Sequence, residues 1–209
     1  MSSVYEMTEV YFAKKITEHG PTAKGVDWNG EESQYVRFAQ LAKVLENDER
    51  SHISLNDLGC GYGEMFNFLK EKYTQYIEYH GYDLCQKMID AACERFPSEV
   101  QAYFYKVDMG DVMRTSDYSV ASGIFNIQIG ADNDWQKHIL ETLQQMNNSS
   151  RKGFSFNCLT KYSDKEYMKD YLYYADPCDL FDYCKRNFSK NVAILHDYEL
   201  FEFTIVVRK

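Results

Sequence analysis

The chain is predicted to be an α/β protein built on a Rossmann-like, doubly wound sheet. Three observations carry that prediction. Short apolar runs alternate with helical patterns from residue 53 onward. The first run, 53–58, passes directly into glycines spaced G-x-G-x-G (Gly59, Gly61, Gly63), and a helical pattern then begins at Met65, Phe66 and Leu69. That strand, tight turn and helix bring backbone close to a nucleoside ligand. The last two runs, 192–196 and 200–207, are separated only by Asp197, Tyr198 and Glu199, so they read as an antiparallel hairpin.

Each element follows from its own pattern. Residues 4–18 have helical spacing (Val4, Met7, Val10, Tyr11, Ile16) and stop at His19-Gly20-Pro21, a C-cap glycine followed by a helix breaker. A loop over 22–30 carries Trp28. A second helix is expected over 31–47, with Tyr35, Phe38, Leu41, Val44 and Leu45 on one face. After the first strand come a helix over 64–72, a strand over 77–82 and a helix over 86–95 that ends before Pro97. Strands over 102–107 and 118–122, a helix over 135–146 and a strand over 153–159 follow. A tyrosine-rich stretch and a helix near 179–188 precede the hairpin.

The 209 residues suit a single domain over 1–209. Within it, 1–50 form an N-terminal helical cap and 161–178 a tyrosine-rich lid inserted after the fifth strand. Hydrophobic residues make up 44%, with only three prolines, so disorder is not expected. No stretch reaches membrane-spanning length and no signal-peptide pattern opens the chain, which implies a cytoplasmic protein with no membrane partner. Six scattered cysteines (Cys60, Cys85, Cys93, Cys158, Cys178, Cys184) form no C-x-x-C pair and read as reduced thiols rather than metal ligands. A net charge of −9, with no basic cluster, argues against nucleic acid and for a small molecule.

The glycine spacing selects among nucleoside ligands. A dinucleotide fold uses G-x-G-x-x-G with a helix N-terminus facing a pyrophosphate. Here the third glycine comes one residue earlier, and Asp57 stands two residues before the first. The run Asp57-Leu58-Gly59-Cys60-Gly61-Tyr62-Gly63 resembles motif I of the class I methyltransferases, which bind S-adenosylmethionine (SAM) and release S-adenosylhomocysteine. The terminal hairpin fits the same family, whose strands run 3-2-1-4-5-7-6 with strand 7 antiparallel; NAD-binding folds end with a parallel strand instead.

Asp83 ends the second strand, where a carboxylate can accept both ribose hydroxyl protons. The resemblance gives it the same role and makes Leu84 to Met88 the adenine-side wall. It also implies that Asp108 accepts from the adenine amino group while Met109 contributes a backbone amide; Asp111 takes that place if the third strand ends later. Ser122, at the end of the fourth strand, would lie under the methionine moiety. The N-terminal run around Trp28 and Arg37 resembles small bacterial-type methyltransferases. There Arg37 could pair with the methionine carboxylate and Trp28 could cover the cofactor.

Some subclasses are excluded. Strand 4 is followed by Ser122-Gly123-Ile124-Phe125, not the [N/D/S]-P-P-[Y/F/W] motif of nucleic-acid amino methylation. Asp132 and Asp134 lie too late to be the ligands of metal-dependent catechol enzymes, so no metal is assigned. Polyamine synthases need an acidic residue where Ser122 or Gly123 stands.

The expected function is therefore methyl transfer from SAM to an oxygen, or a nitrogen, of a small polar metabolite such as a natural-product or surface-glycan precursor. A catalytically silent SAM-binding subunit is the alternative. The acceptor pocket should open beyond the carboxyl ends of the strands. It would be closed by the N-terminal helices and by a lid carrying Tyr162, Tyr167, Tyr171, Tyr173 and Tyr174, which equally suit a dimer contact in a monomer or homodimer. His196 is the first candidate for a general base, His19 the second, with Tyr162 a further catalytic candidate. His138 is expected to be solvated on a surface helix.

Overall fold

The computed structural model describes residues 4–108, 111–128 and 132–209. Two helices lead the chain: α1 (Val4–His19) and, after a short 3-10 turn at Ala23–Val26, α2 (Glu31–Leu41). The second predicted helix is thus shorter than its periodicity suggests. Its tail tightens into a 3-10 turn, Ala42–Leu45, which keeps Val44 and Leu45 buried.

The alternation follows as β1 (His52–Leu58), α3 (Glu64–Lys72), β2 (Tyr76–Asp83), α4 (Gln86–Arg95), β3 (Ala102–Lys106) and β4 (Ser116–Ala121). Then come α5 (Asp132–Ser149), β5 (Ser150–Leu159), α6 (Pro177–Asn187), β6 (Asn191–Leu195) and β7 (Glu202–Arg208). The seven strands form one sheet in the order β3-β2-β1-β4-β5-β7-β6. Pairs β1–β2, β1–β4, β2–β3 and β4–β5 are parallel, whereas β7 is antiparallel to both β5 and β6.

Alternate strand residues feed opposite faces. On β7, Val206 packs into a cluster with Phe38 and Leu41 of α2 and Phe66 and Leu69 of α3. Its neighbours Ile205 and Val207 join Ile139 and Leu143 of α5 and Leu180 and Cys184 of α6. Both faces of the central strands are therefore covered, and the free ends of β1 and β4 are the place left open for a ligand.

Candidate active site

The turn after β1 is pinned to the end of β2. The Gly59 and Cys60 amides both donate to the Tyr82 carbonyl, at 2.8 and 3.0 Å, and the Gly61 amide donates to Asp83 Oδ2 at 2.9 Å. Gly59, Gly61 and Gly63 all have positive φ. A Cβ on Gly61 would also lie 2.9 Å from Val26 Cγ1, so only glycine lets the N-terminal loop come this close. The Tyr62 hydroxyl donates to Gln34 Oε1 at 3.2 Å, tying the turn to α2.

Asp57 and Asp83 lie beneath this turn. Burial pushes the Asp57 carboxyl up to about 7; the Tyr79 hydroxyl, which donates to its Oδ2, opposes the rise, and the Asp83 charge adds to it. Burial likewise raises Asp83 to about 6, against amide bonds from Cys85, Gly61 and Leu84. An unfolded Asp57 releases its proton near 3.8, whereas the folded one keeps it to about 7. The folded chain thus holds the extra proton, and this group's contribution to stability declines as pH rises from about 4 to about 7. Denaturant melts across that range should show the decline in the native protein and a flatter profile in Asp57→Asn.

A cavity of about 990 Å³ opens in front of these carboxylates, at the upper end of the roughly 300–1,000 Å³ usual for small-molecule sites. Asp57, Gly59, Cys60, Gly61, Asp83, Leu84, Met88, Asp108, Ser122, Trp28 and Arg37 all line it, whereas Gly63 sits one step back as the N-cap of α3. Met109 lies outside the described residues. Asp108 is exposed and paired with Lys106, unlike the sequestered Asp83. Ser122 Oγ is buried without a hydrogen-bond partner among the described residues, as a hydroxyl waiting for a ligand would be.

Arg37 is found in a partnership the sequence did not suggest. Its Nε donates to Glu202 Oε2 at 2.9 Å, its Nη2 lies 2.8 Å from Glu202 Oε1, and Trp28 stacks on the guanidinium at 4.0 Å. Glu202 also accepts from Asn157, and Asn157 from the Gly123 amide. Because 165 residues separate Arg37 from Glu202, no local pattern could have announced the pair.

The segment after β5 folds back over the cavity. The Gln128 amide donates to the Tyr171 carbonyl and the Tyr173 amide to the Asn126 carbonyl, placing Tyr167, Lys169, Tyr171 and Tyr174 in the wall. Opposite them Asp27 accepts from the Tyr11 hydroxyl at 2.6 Å and from Lys15 at 2.5 Å.

Two catalytic candidates are not brought to the cavity. β6 is the sheet's outermost strand and ends at Leu195, so His196 falls in the exposed loop beyond it, facing Tyr162 and Phe203. Tyr162 is 61% exposed and outside the wall. His19 does line the rim. So does His138, contrary to its expected solvation: its ring lies against Trp135 and Phe125, and burial lowers its pKa. The helical spacing of α5 could have shown this, since His138 stands three residues after the buried Trp135.

Glu199 at the cavity mouth has φ +57, a left-handed conformation that asparagine tolerates better. Glu199→Asn is expected to raise stability by up to about 1 kcal/mol; a melting temperature at or below that of the native protein would contradict this. Among the described residues no cluster of His, Cys, Asp or Glu is disposed to hold a metal ion, and no helix is long and apolar enough to cross a membrane.

A glycine turn over two strand-end carboxylates, in a seven-stranded sheet closed by a reversed hairpin, defines the class I methyltransferase architecture. A family model described as a methyltransferase domain matches residues 56–150. A Mycobacterium tuberculosis protein named "Putative methyltransferase Rv1506c" is 52% identical over 157 residues, covering 75% of this chain and 93% of that one. The chain belongs to the class I, SAM-dependent methyltransferases. The magnesium protoporphyrin IX methyltransferase of Synechocystis PCC 6803 with bound SAM has a TM-score of 0.71 at 13% identity, over 100% of this chain and 98% of that one. The N-methyltransferase NodS of Bradyrhizobium japonicum WM9, in complex with S-adenosylhomocysteine, has 0.63 at 12% identity, over 97% and 98%. At those identities the likeness is one of fold.

Proposed function

We propose that this chain transfers a methyl group from SAM to an oxygen, or a nitrogen, of a small polar metabolite. The observation that carries the reading is one continuous cavity. Its floor is the Gly59–Gly61 turn with Asp83, and its far wall is the tyrosine lid. Its volume leaves room for an acceptor beside a nucleoside.

The residues present fit the cofactor. Asp83 presents a carboxylate to ribose hydroxyls, Leu84, Cys85 and Met88 offer an apolar wall to adenine, and Ser122 Oγ has an unmet hydrogen bond. Arg37 presents a cation to a carboxylate, and Trp28 covers that end. The cofactor supplies an electrophilic methyl group on a positive sulfonium. The protein's task is then alignment in a water-poor cavity, which the lid and the N-terminal cap provide. An alcohol acceptor needs a base as well. His138 is a candidate beside His19: it stands in the cavity wall against Trp135, and burial favours its neutral imidazole, the form that can take a proton.

Calorimetry should give saturable, one-to-one binding of S-adenosylhomocysteine. A deproteinised small-molecule extract, incubated with the protein and methyl-labelled SAM, should yield a labelled small product. Binding without any labelled product would instead favour a silent SAM-binding subunit.

A further inference from the structure

Arg37 has five N–H donors; two of them make hydrogen bonds, and Nη2 adds an ion pair with a Glu202 oxygen that has no hydrogen-bond partner among the described residues. Nε and Nη2 face the two Glu202 oxygens at 2.9 and 2.8 Å, and Nη1 donates to the Ser33 carbonyl at 2.8 Å. Each terminal nitrogen therefore keeps at least one proton without a hydrogen bond, and a pair of N–H groups on the guanidinium edge has the spacing of a planar carboxylate. Trp28 covers a face of the same guanidinium. Its orientation is therefore fixed from the side by β7, from behind by the backbone of α2 and from one face by an indole.

Glu202 is itself held. Its Oε2 accepts from Asn157 Nδ2 at 2.8 Å, and Asn157 Oδ1 accepts from the Gly123 amide at 2.7 Å. The chain Arg37–Glu202–Asn157–Gly123 joins α2, β7, β5 and the turn after β4. Its three side-chain members are 5%, 1% and 0% exposed. A dry ion pair is a poor source of stability, since apolar residues of the same volume commonly do as well. What such a network supplies is fixed geometry.

We propose that Glu202 is a positioning residue for the cofactor. Through Arg37 it aims the free guanidinium edge at the amino-acid carboxylate of SAM, and through Asn157 it sets the Gly123 turn beside it. This rests on the cofactor reading above.

Two ligands separate the possibilities: S-adenosylhomocysteine, which carries the carboxylate, and 5′-methylthioadenosine, the same thionucleoside without the amino-acid tail. By calorimetry, Glu202→Gln should weaken S-adenosylhomocysteine by about tenfold or more while changing methylthioadenosine by less than about twofold. Retained methylthioadenosine binding is also the proof of folding. Should Glu202→Gln not fold, Glu202→Asp keeps the charge but withdraws it by one methylene, and the same selective loss is expected. Equal losses for both ligands, or no loss for either, overturn the proposal. Failure of the native protein to bind either ligand overturns the cofactor reading itself.

Discussion

Asp83→Ala should weaken SAM binding by about a hundredfold or more, because the substitution removes two things together. The ribose hydroxyls lose a charged acceptor, worth roughly 1.5–3 kcal/mol. The Gly61 and Cys85 amides also lose the carboxylate that holds them at 2.9 and 2.8 Å, so the turn beneath the cofactor keeps only the Gly59 and Cys60 bonds to the Tyr82 carbonyl. Asp108→Ala is the contrast: its carboxylate is 77% exposed and paired with Lys106, so a loss of only a few-fold is expected. Equal losses in the two variants would show that the ribose site has been misplaced.

The same carboxylate makes binding depend on pH. Asp83 in the free protein titrates near 6 because burial disfavours its charge. Hydroxyl donors stabilise the ionised form, so the bound protein has the lower pKa and binding expels a proton below about 6. Affinity should then fall about tenfold for each pH unit below 6 and level off above about 7. Calorimetry between pH 5 and 8 gives the profile, and Asp83→Ala should flatten it.

The parts of this molecule legible in the sequence are those written locally. The apolar runs, the glycines with forced positive φ and the short gap before the last strand, which runs from Leu195 to Glu202 and so is longer than the three residues expected, each act over fewer than about ten residues. They located α3 and α4 to the residue. The cavity lining was legible where it hangs on such a turn, as with Asp57, Gly59, Gly61 and Asp83. It was not legible where distant strands meet. Glu202 and Asn157 read as ordinary polar residues in strand patterns, and only the β5–β7 pairing, with Asn157 opposite Thr204, turns them toward Arg37. His196 lies away from the cavity for the converse reason. Its place at the end of a strand was read nearly correctly, but that strand is an edge, far from the sheet's centre.

Gly123→Ala tests whether Trp28 closes the cofactor end of the cavity. Gly123 has φ +72, so alanine there costs about 1–2 kcal/mol in backbone strain alone. Its Cβ would lie 2.3 and 2.5 Å from the Cη2 and Cζ2 atoms of Trp28, a clash that the indole cannot absorb while stacked on Arg37. Overpacking of this kind adds about 1–3 kcal/mol. The expected result is a destabilisation of about 2–5 kcal/mol in denaturant melts, with S-adenosylhomocysteine affinity falling alongside. The two causes can be separated, because Trp28→Leu removes the clash and leaves the strain. The double variant Gly123→Ala/Trp28→Leu should therefore be more stable than the sum of its single variants predicts, by about 1–3 kcal/mol. Additive stabilities would mean that the indole does not press on this turn in solution. Trp28 would then anchor the N-terminal loop and take no part in covering the site.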